Sequence, residues 1–202
     1  MQSEYTYEGL RRIIEAIKED CVQSNEKFLS DRTNPVKINL SKSISKTTAS
    51  NGFFKMIVDY TEFLNQEYLT SDNFFNLTIN YGLRSRVKLR ESILIKLKKY
   101  QTKELNSGSL SMNRCLNDLI GMRVILNGIE ESESCVRSEL NELKQLGIIS
   151  RWYFREDGDY QGYHCYFKLD NNSFPWELQI WDTKWQTRNL EDHKRHEAEK
   201  VC

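Results

Sequence analysis

Arg86-Val87-Lys88-Leu89-Arg90-Glu91-Ser92-Ile93-Leu94-Ile95-Lys96 is the stretch from which the rest of the chain can be read. As a helix it places Lys88, Ser92 and Lys96 at i, i+4 and i+8 on one face. Arg86 then stands just upstream, and Ile93, Leu94 and Leu97 turn inward. Between Arg84 and Lys103 there are eight basic residues against one acid, Glu91, with Glu104 just beyond. Such a density of cations repels itself unless a polyanion or nearby carboxylates balance it, so it suggests a phosphate-rich ligand. A solvated amphipathic helix is the plain alternative.

Around this stretch lies a chain of 202 residues, 39% hydrophobic and 29% charged, ordinary figures for one globular domain with a real core. No N-terminal apolar run resembles a signal peptide and none approaches a membrane span, so a cytoplasmic protein without membrane contact is expected. Cys21, Cys115, Cys135, Cys165 and Cys202 show no Cys-x-x-Cys spacing, and an odd count argues against a closed disulfide framework. They read as reduced thiols, mostly filling core. The net charge is zero but unevenly spread: residues 1–100 hold 16 Lys+Arg and 12 Asp+Glu, a balance of +4, which leaves −4 for the rest.

Upstream, Tyr7, Leu10, Ile13, Ile14 and Ile17 have helical spacing over residues 3–28, with Ser3 as a cap. Residues 29–52 turn polar around Asn34-Pro35 and read as a loop bearing Arg32, Lys37, Lys42 and Lys46, a connector or a segment that could touch nucleic acid. Helical spacing resumes over 53–68 through Phe54, Ile57, Val58, Tyr60 and Phe63. From there strand-like alternation takes over. Strands are predicted at 75–81, 121–127, 148–154, 163–169 and 176–181, the last two joined as a hairpin around Asp170-Asn171-Asn172-Ser173. Helices are predicted over 130–146 and 182–200, and the class expected is α/β (α+β), a mixed β-sheet flanked by helices. One domain spans 1–202, with 1–74 a helical N-terminal part and 75–202 the sheet and its helices.

Two acids sit where such a sheet could unite them. Asp118 immediately precedes a strand, and Glu177 shares one strand face with Gln179 while Trp176, Leu178 and Ile180 take the other. Taken alone, Glu177 fits a solvated strand face. Paired with Asp118 across a cleft lined by Arg86, Lys88 and Lys96, it would form a magnesium site, because Mg²⁺ is commonly held by one or two carboxylates plus substrate phosphates.

Four motifs occur in register: Arg86-x-Lys88-x3-Ser92-x3-Lys96, Asp118-x2-Gly121-x-Arg123, Tyr160-x-Gly162-x-His164 and Glu177-x-Gln179-Ile180. In order and spacing they resemble the synthetase domain of the RelA/SpoT alarmone synthetases, over roughly residues 81–200. With no hydrolase domain and no long extensions, the chain looks like a small, single-domain member. The resemblance implies a nucleotidyltransferase-like sheet and an enzyme that moves the β,γ-pyrophosphate of ATP to a ribose 3′-hydroxyl, with Mg²⁺ as cofactor. It implies ATP against Arg86, Lys88, Ser92 and Lys96, Asp118 on the metal, and Glu177 as second metal ligand or as base. Arg123 would brace phosphates, unless it is a structural ion-pair partner. Tyr160 would stack on the acceptor base, with His164 and Gln179 beside the acceptor. His193 and His196, at i and i+3, have no third ligand at suitable spacing and read as a surface helix.

The chain departs from the family at Trp181-Asp182, where the usual pattern has Arg-Thr, so an indole and an acid replace a positive charge near the acceptor. A free GDP or GTP rewards basic contacts at its 5′ phosphates, whereas a tRNA 3′ end engages a wide basic surface instead. The lost arginine, the basic front half and Asp192-His193-Lys194-Arg195-His196 lean toward the toxic subgroup, which pyrophosphorylates the tRNA 3′-CCA end and stops translation. The alternative is a (p)ppGpp synthetase acting on GDP or GTP. A third reading is a non-catalytic nucleotide- or RNA-binding module. By the same resemblance an antitoxin protein and a homo-oligomer are possible partners.

Overall fold

The computed structural model describes residues 6–30, 38–102 and 108–198, with backbone alone for 68–70 and 193–198. Ser3, Arg32, Lys37 and Cys202 therefore lie outside the described residues, as do the side chains of His193, Lys194, Arg195 and His196. A short 3₁₀ turn, Tyr7–Gly9, leads into α1 (Leu10–Ser30). Helix α1 buries Leu10, Ile13, Ile14, Ile17, Cys21 and Phe28, as its periodicity requires. The polar stretch that follows contains a short helix, α2 (Ile44–Thr48), capped by Ser43 and anchored by buried Ile38, Leu40 and Ile44.

Helix α3 (Phe53–Thr70) turns Phe53, Met56, Ile57, Tyr60 and Leu64 inward and leaves Phe54 exposed. Tyr60 donates to Asn25 Oδ1 at 3.0 Å and accepts from Trp176 Nε1 at 2.8 Å, so the polar tips of two buried aromatics satisfy each other. Next, α4 (Asp72–Tyr81) occupies the stretch expected as the first strand. Its ends explain the difference. Ser71 caps the helix by accepting from the Phe74 N–H, Gly82 closes it at φ 64°, and Phe74 and Leu77 bury at helical spacing. The local β preference of residues 75–81 loses to these caps and to the core.

The first strand, β1 (Arg84–Val87), comes later than expected and holds Arg86, and α5 (Arg90–Thr102) begins only after Lys88. Lys88 therefore sits in the link and not on the helix. On α5, Ile93 and Leu97 are buried, but Leu94 points outward at 55% exposure, a correction to its expected inward position. Short α6 (Met112–Cys115) precedes β2 (Ile120–Leu126) and α7 (Glu133–Gln145). The chain ends with β3 (Arg151–Asp157), β4 (Tyr160–Phe167), β5 (Trp176–Asp182), a 3₁₀ turn at Thr183–Trp185 and α8 (Gln186–Ala198).

The five strands form one mixed sheet in the order β1-β2-β5-β4-β3, flanked by helices as expected. β2 and β5 run parallel, and the other neighbours are antiparallel. β4 and β5 form the expected hairpin through Asp170–Ser173, and Gly158, at φ 58°, turns β3 into β4. Directly paired residues share a face of a sheet. The register thus sets out one row of Arg86, Gly121, Glu177, Tyr166 and Arg151, and a second row of Arg84, Arg123, Gln179, His164 and Tyr153. Cys21, Cys115 and Cys165 are buried free thiols, as their reading as core filler expects, while Cys135 is exposed. Among the described residues, no helix is long and apolar enough to cross a membrane.

Candidate functional site

The two rows frame a cavity of about 300 Å³ lined by Arg84, Arg86, Lys88, Asp118, Arg123 and Glu177, among others. Gly121 supplies its floor. A Cβ there would meet nothing within 4 Å, so the missing side chain leaves open space for a ligand and is not a packing requirement.

At one end Asp118, just before β2, is clasped by two ammonium groups. Lys88 Nζ lies 2.8 Å from Oδ2 and Lys96 Nζ lies 3.0 Å from Oδ1, and Lys96 also donates to Asn117 Oδ1 at 3.3 Å. Lys88 reaches Asp118 because its own N–H bonds Leu119 O at 2.8 Å, which pins the β1–α5 link against the start of β2. Burial by itself would raise the Asp118 pKa, yet the charges of Lys96 and Lys88 hold it below the usual carboxylate value. Burial would likewise lower Lys96, and Asp118 reverses that and holds it above the ordinary lysine value. Ser92, one turn before Lys96 on α5, is half-buried, and neither residue lines the cavity, a correction to the expected cleft; Lys96 is linked to the lining through Asp118. Arg90 turns away to pair with Glu62. Of the eight cations counted along this stretch, Lys103 lies outside the described residues, and the described ones are divided between the cavity and other surfaces.

At the other end Glu177 is only 8% exposed, so the solvated face open to it from sequence is ruled out. Side chains of the sheet hold it. Tyr166 donates to Oε1 at 2.6 Å, His164 Nδ1 lies 3.0 Å from the same oxygen, and Gln179 donates to Oε2 at 3.3 Å. Burial would raise its pKa, but the bonds from His164 and Tyr166 outweigh burial and the nearby Asp118 charge, leaving it lowered. Behind His164 the chain of bonds continues. Trp181 Nε1 donates to Tyr160 Oη at 3.1 Å, and that hydroxyl lies 2.9 Å from His164 Nε2. Because an ionised carboxylate only accepts, the bond between His164 and Glu177 is donated by His164 Nδ1–H.

Tyr160 differs most from its expected placement. It is 4% exposed, with its ring edge-on to Trp181 at 5.8 Å and the Arg155 guanidinium 5.2 Å from its centroid, so it presents no open ring face to a base. The cause is local. Tyr160 opens β4 directly after the tight Gly158 turn, inside the sheet instead of on a loop. Gly162 leaves room for Trp181, since a Cβ there would lie 2.9 Å from its Cδ1.

Arg123 lies with its guanidinium 3.7 Å above the Trp181 ring and donates to Gln179 Oε1 at 3.1 Å. Burial, with the nearby charges of Arg86 and Arg84, lowers it to about 10. Trp181 is fully buried as the shelf beneath this arginine. Asp182, its acidic neighbour, faces the other way. It accepts from Glu130 N at 2.9 Å and Lys184 N at 2.8 Å and caps the turn into α8, so it adds no negative charge to the cavity. The sequence reading missed Arg84, Ser85, Met122 and Leu190 in the lining. Arg84 shares a strand face with Arg86 and could have been found had β1 been recognised; Leu190 on α8 carries no local signal.

The donor set suits a hard cation only in part. Among the described residues, no group of three or more His, Cys, Asp and Glu could hold a metal ion. Two carboxylates are compatible with Mg²⁺ when substrate phosphates supply the remaining oxygens.

No family model and no curated protein matches the chain. Among solved structures, the chain is similar to small alarmone synthetase 2 from Bacillus subtilis, at 20% identity and TM-score 0.37 over 74% of this chain and 80% of that one. It is also similar to small alarmone synthetase 1 from the same organism, at 16% identity and TM-score 0.38 over 72% and 78% of the two chains. With that synthetase bound to its product pppGpp, the values are 16% and 0.41 over 75% and 85%.

Proposed function

We propose that the protein transfers the β,γ-pyrophosphate of ATP to a ribose 3′-hydroxyl, with the 3′ end of tRNA as acceptor. The observation that carries this reading is one cavity walled by Arg84, Arg86, Lys88 and Arg123, with the half-buried Asp118 and the buried Glu177 both in its lining. Cations there neutralise a triphosphate, and an ionised acid stands where an attacking hydroxyl must lose its proton.

In this reading Arg86, Lys88 and Lys96 take the ATP phosphates, and phosphate oxygens replace Asp118 as the partners of the two ammonium groups. Asp118, released, would hold Mg²⁺ together with the phosphates, with Glu177 in the same lining as the second carboxylate. The metal, when bound, neutralises charge on the transferred group and on departing AMP. The acceptor 3′-oxygen attacks the β-phosphorus, the bond from that phosphorus to the bridging oxygen of AMP breaks, and the hydroxyl proton passes to Glu177 Oε2. That oxygen carries only the long bond from Gln179, while Oε1 is held by Tyr166 and His164. A lowered pKa makes Glu177 a weak base, which suffices because a loose phosphoryl-transfer transition state needs positioning and charge more than base strength.

Burial of Trp181 beneath Arg123 supports the tRNA end over a free guanosine nucleotide, because the indole supplies no charge for 5′ phosphates. Arg84 supports the second reading, GDP or GTP as acceptor, by adding a cation to the same wall. Purified protein given Mg²⁺ and ATP labelled in the γ-phosphate is expected to label deacylated tRNA in preference to GDP. Label on guanosine nucleotide alone would select the second reading, and label on neither would remove the transferase.

A further inference from the structure

Strand β3 is a sheet edge whose two faces differ in chemistry. Trp152 and Phe154 pack inward, Trp152 donating to Asn141 Oδ1 at 3.2 Å and Phe154 lying 5.7 Å from Trp185. Arg151, Tyr153 and Arg155 alternate onto the other face. Register with Tyr166 and His164 makes this the face that carries Glu177 and Gln179. Tyr153 is 39% exposed, the most open aromatic ring of that face among the described residues. Its ring is parallel to His164 at 5.1 Å and 4°, and nearly parallel to Tyr166 at 6.0 Å and 18°. Its hydroxyl lies 3.2 Å from that of Tyr166, which itself donates to Glu177.

The cations flank this ring. Arg151 lies 4.2 Å over the Tyr166 ring, and Arg155, paired with Asp157 at 2.7 Å, lies 5.2 Å from the Tyr160 ring. Each is two residues from Tyr153 along the strand, about 7 Å of backbone and the scale of one nucleotide step, and the Arg151 guanidinium lies 5.9 Å from the Tyr153 ring centroid. A fixed aromatic ring between two guanidinium groups is the arrangement that holds single-stranded nucleic acid, the ring stacking a base and the cations taking the backbone.

We infer that the Arg151-Tyr153-Arg155 face of β3 binds the acceptor RNA one nucleotide before its terminal nucleoside, with Tyr153 stacking the penultimate base. This rests on the pyrophosphotransfer reading for the position of the reacting 3′-hydroxyl, beside Glu177. Tyr153 reaches Glu177 only through Tyr166, hydroxyl to hydroxyl at 3.2 Å and then 2.6 Å to the carboxylate, so its ring stands one side chain farther out, at the sheet edge. A mononucleotide reacting at Glu177 leaves the Tyr153 ring bare; a polynucleotide end covers it.

Fluorescence anisotropy with a 5′-labelled ribotrinucleotide C-C-A, and competition by unlabelled AMP, tests this without ATP or turnover. Tyr153→Ala is expected to weaken the trinucleotide roughly 5- to 150-fold, the equivalent of about 1 to 3 kcal/mol of stacking per base. It should leave AMP competition and ATP binding unchanged, and Tyr153→Phe should bind like the parent. Arg151→Gln and Arg155→Gln should each flatten the salt dependence of trinucleotide binding. Unchanged trinucleotide affinity in Tyr153→Ala overturns the inference. Equal loss of trinucleotide and AMP also overturns it, because the ring then serves the terminal nucleoside or merely supports Glu177. If Tyr153-dependent binding persists while no label reaches tRNA, the β3 surface stands and the transfer reading falls. If Tyr153→Ala labels tRNA as efficiently as the parent, the surface falls and the transfer reading stands.

Discussion

Asp118 and Glu177 are both largely buried, both line one cavity and both have lowered pKa values, yet opposite means keep them so. Asp118 is held by two ammonium groups, whereas Glu177 is held by a phenol, an imidazole and an amide anchored in strands. A charged clasp can be exchanged, because incoming phosphates compete for the same lysines. A scaffold of strand-borne donors stays put. On the proposed function, the exchangeable half of the cavity would serve the donor nucleotide and the fixed half the acceptor and its proton.

The most severe way to break the comparison is to remove the charge at each end. Glu177→Gln and Asp118→Asn are each expected to lower turnover by about 10²- to 10⁴-fold while circular dichroism stays unchanged. Activity surviving in both variants would remove both acids from the chemistry. At the charged end, Lys96→Met is expected to cost about 1 to 3 kcal/mol of stability in urea unfolding at neutral pH, since it strips one charged hydrogen bond from a mostly buried acid. The pH dependence has a definite sign. The contribution of Asp118, whose pKa is lowered, is present above the ordinary carboxylate range and lost as pH falls through its folded value. The contribution of Lys96, whose pKa is raised, is full below the ordinary lysine value and lost as pH rises through its folded one. Lys96→Met should therefore begin acid unfolding at higher pH than the parent, and a coincident acid limb would show that Lys88 alone sets Asp118.

The mildest change sharpens the Glu177 end. Burial pushes the Glu177 carboxyl up and the His164 bond is the largest opposing cause, so His164→Ala should shift the acid limb of kcat/KM to higher pH. The midpoint of thermal unfolding should change less than in Lys96→Met. An unmoved limb would mean that Tyr166 alone keeps Glu177 ionised.

Much of this plan was readable from the chain before any coordinates. The alternation of Glu177 and Gln179 against Trp176, Leu178 and Ile180 placed both polar groups on one strand face, and the hairpin around Asp170–Ser173 followed from turn residues. Residues 75–81 misled because branched and aromatic side chains favour strands locally, while Ser71 and Gly82 cap a helix whose Phe74 and Leu77 the core requires. Lys88 reached Asp118 as expected, though from a link and not from a helix face. Tyr160 appeared as an open ring only because nothing local reveals that Trp181 and His164 hold its hydroxyl from neighbouring strands.

What the sequence by itself determined is the inventory and its periods: which strands alternate, which helices bury a stripe, and that two acids and a run of cations are available for phosphate chemistry. Those properties depend on residues a few positions apart. Tertiary structure decided which cations face the acids, that a tryptophan carries Arg123, and that β3 presents Tyr153 beside the Glu177 row. Strands far apart in the chain meet only through sheet register, and a shift of one residue would turn each of these side chains to the opposite face.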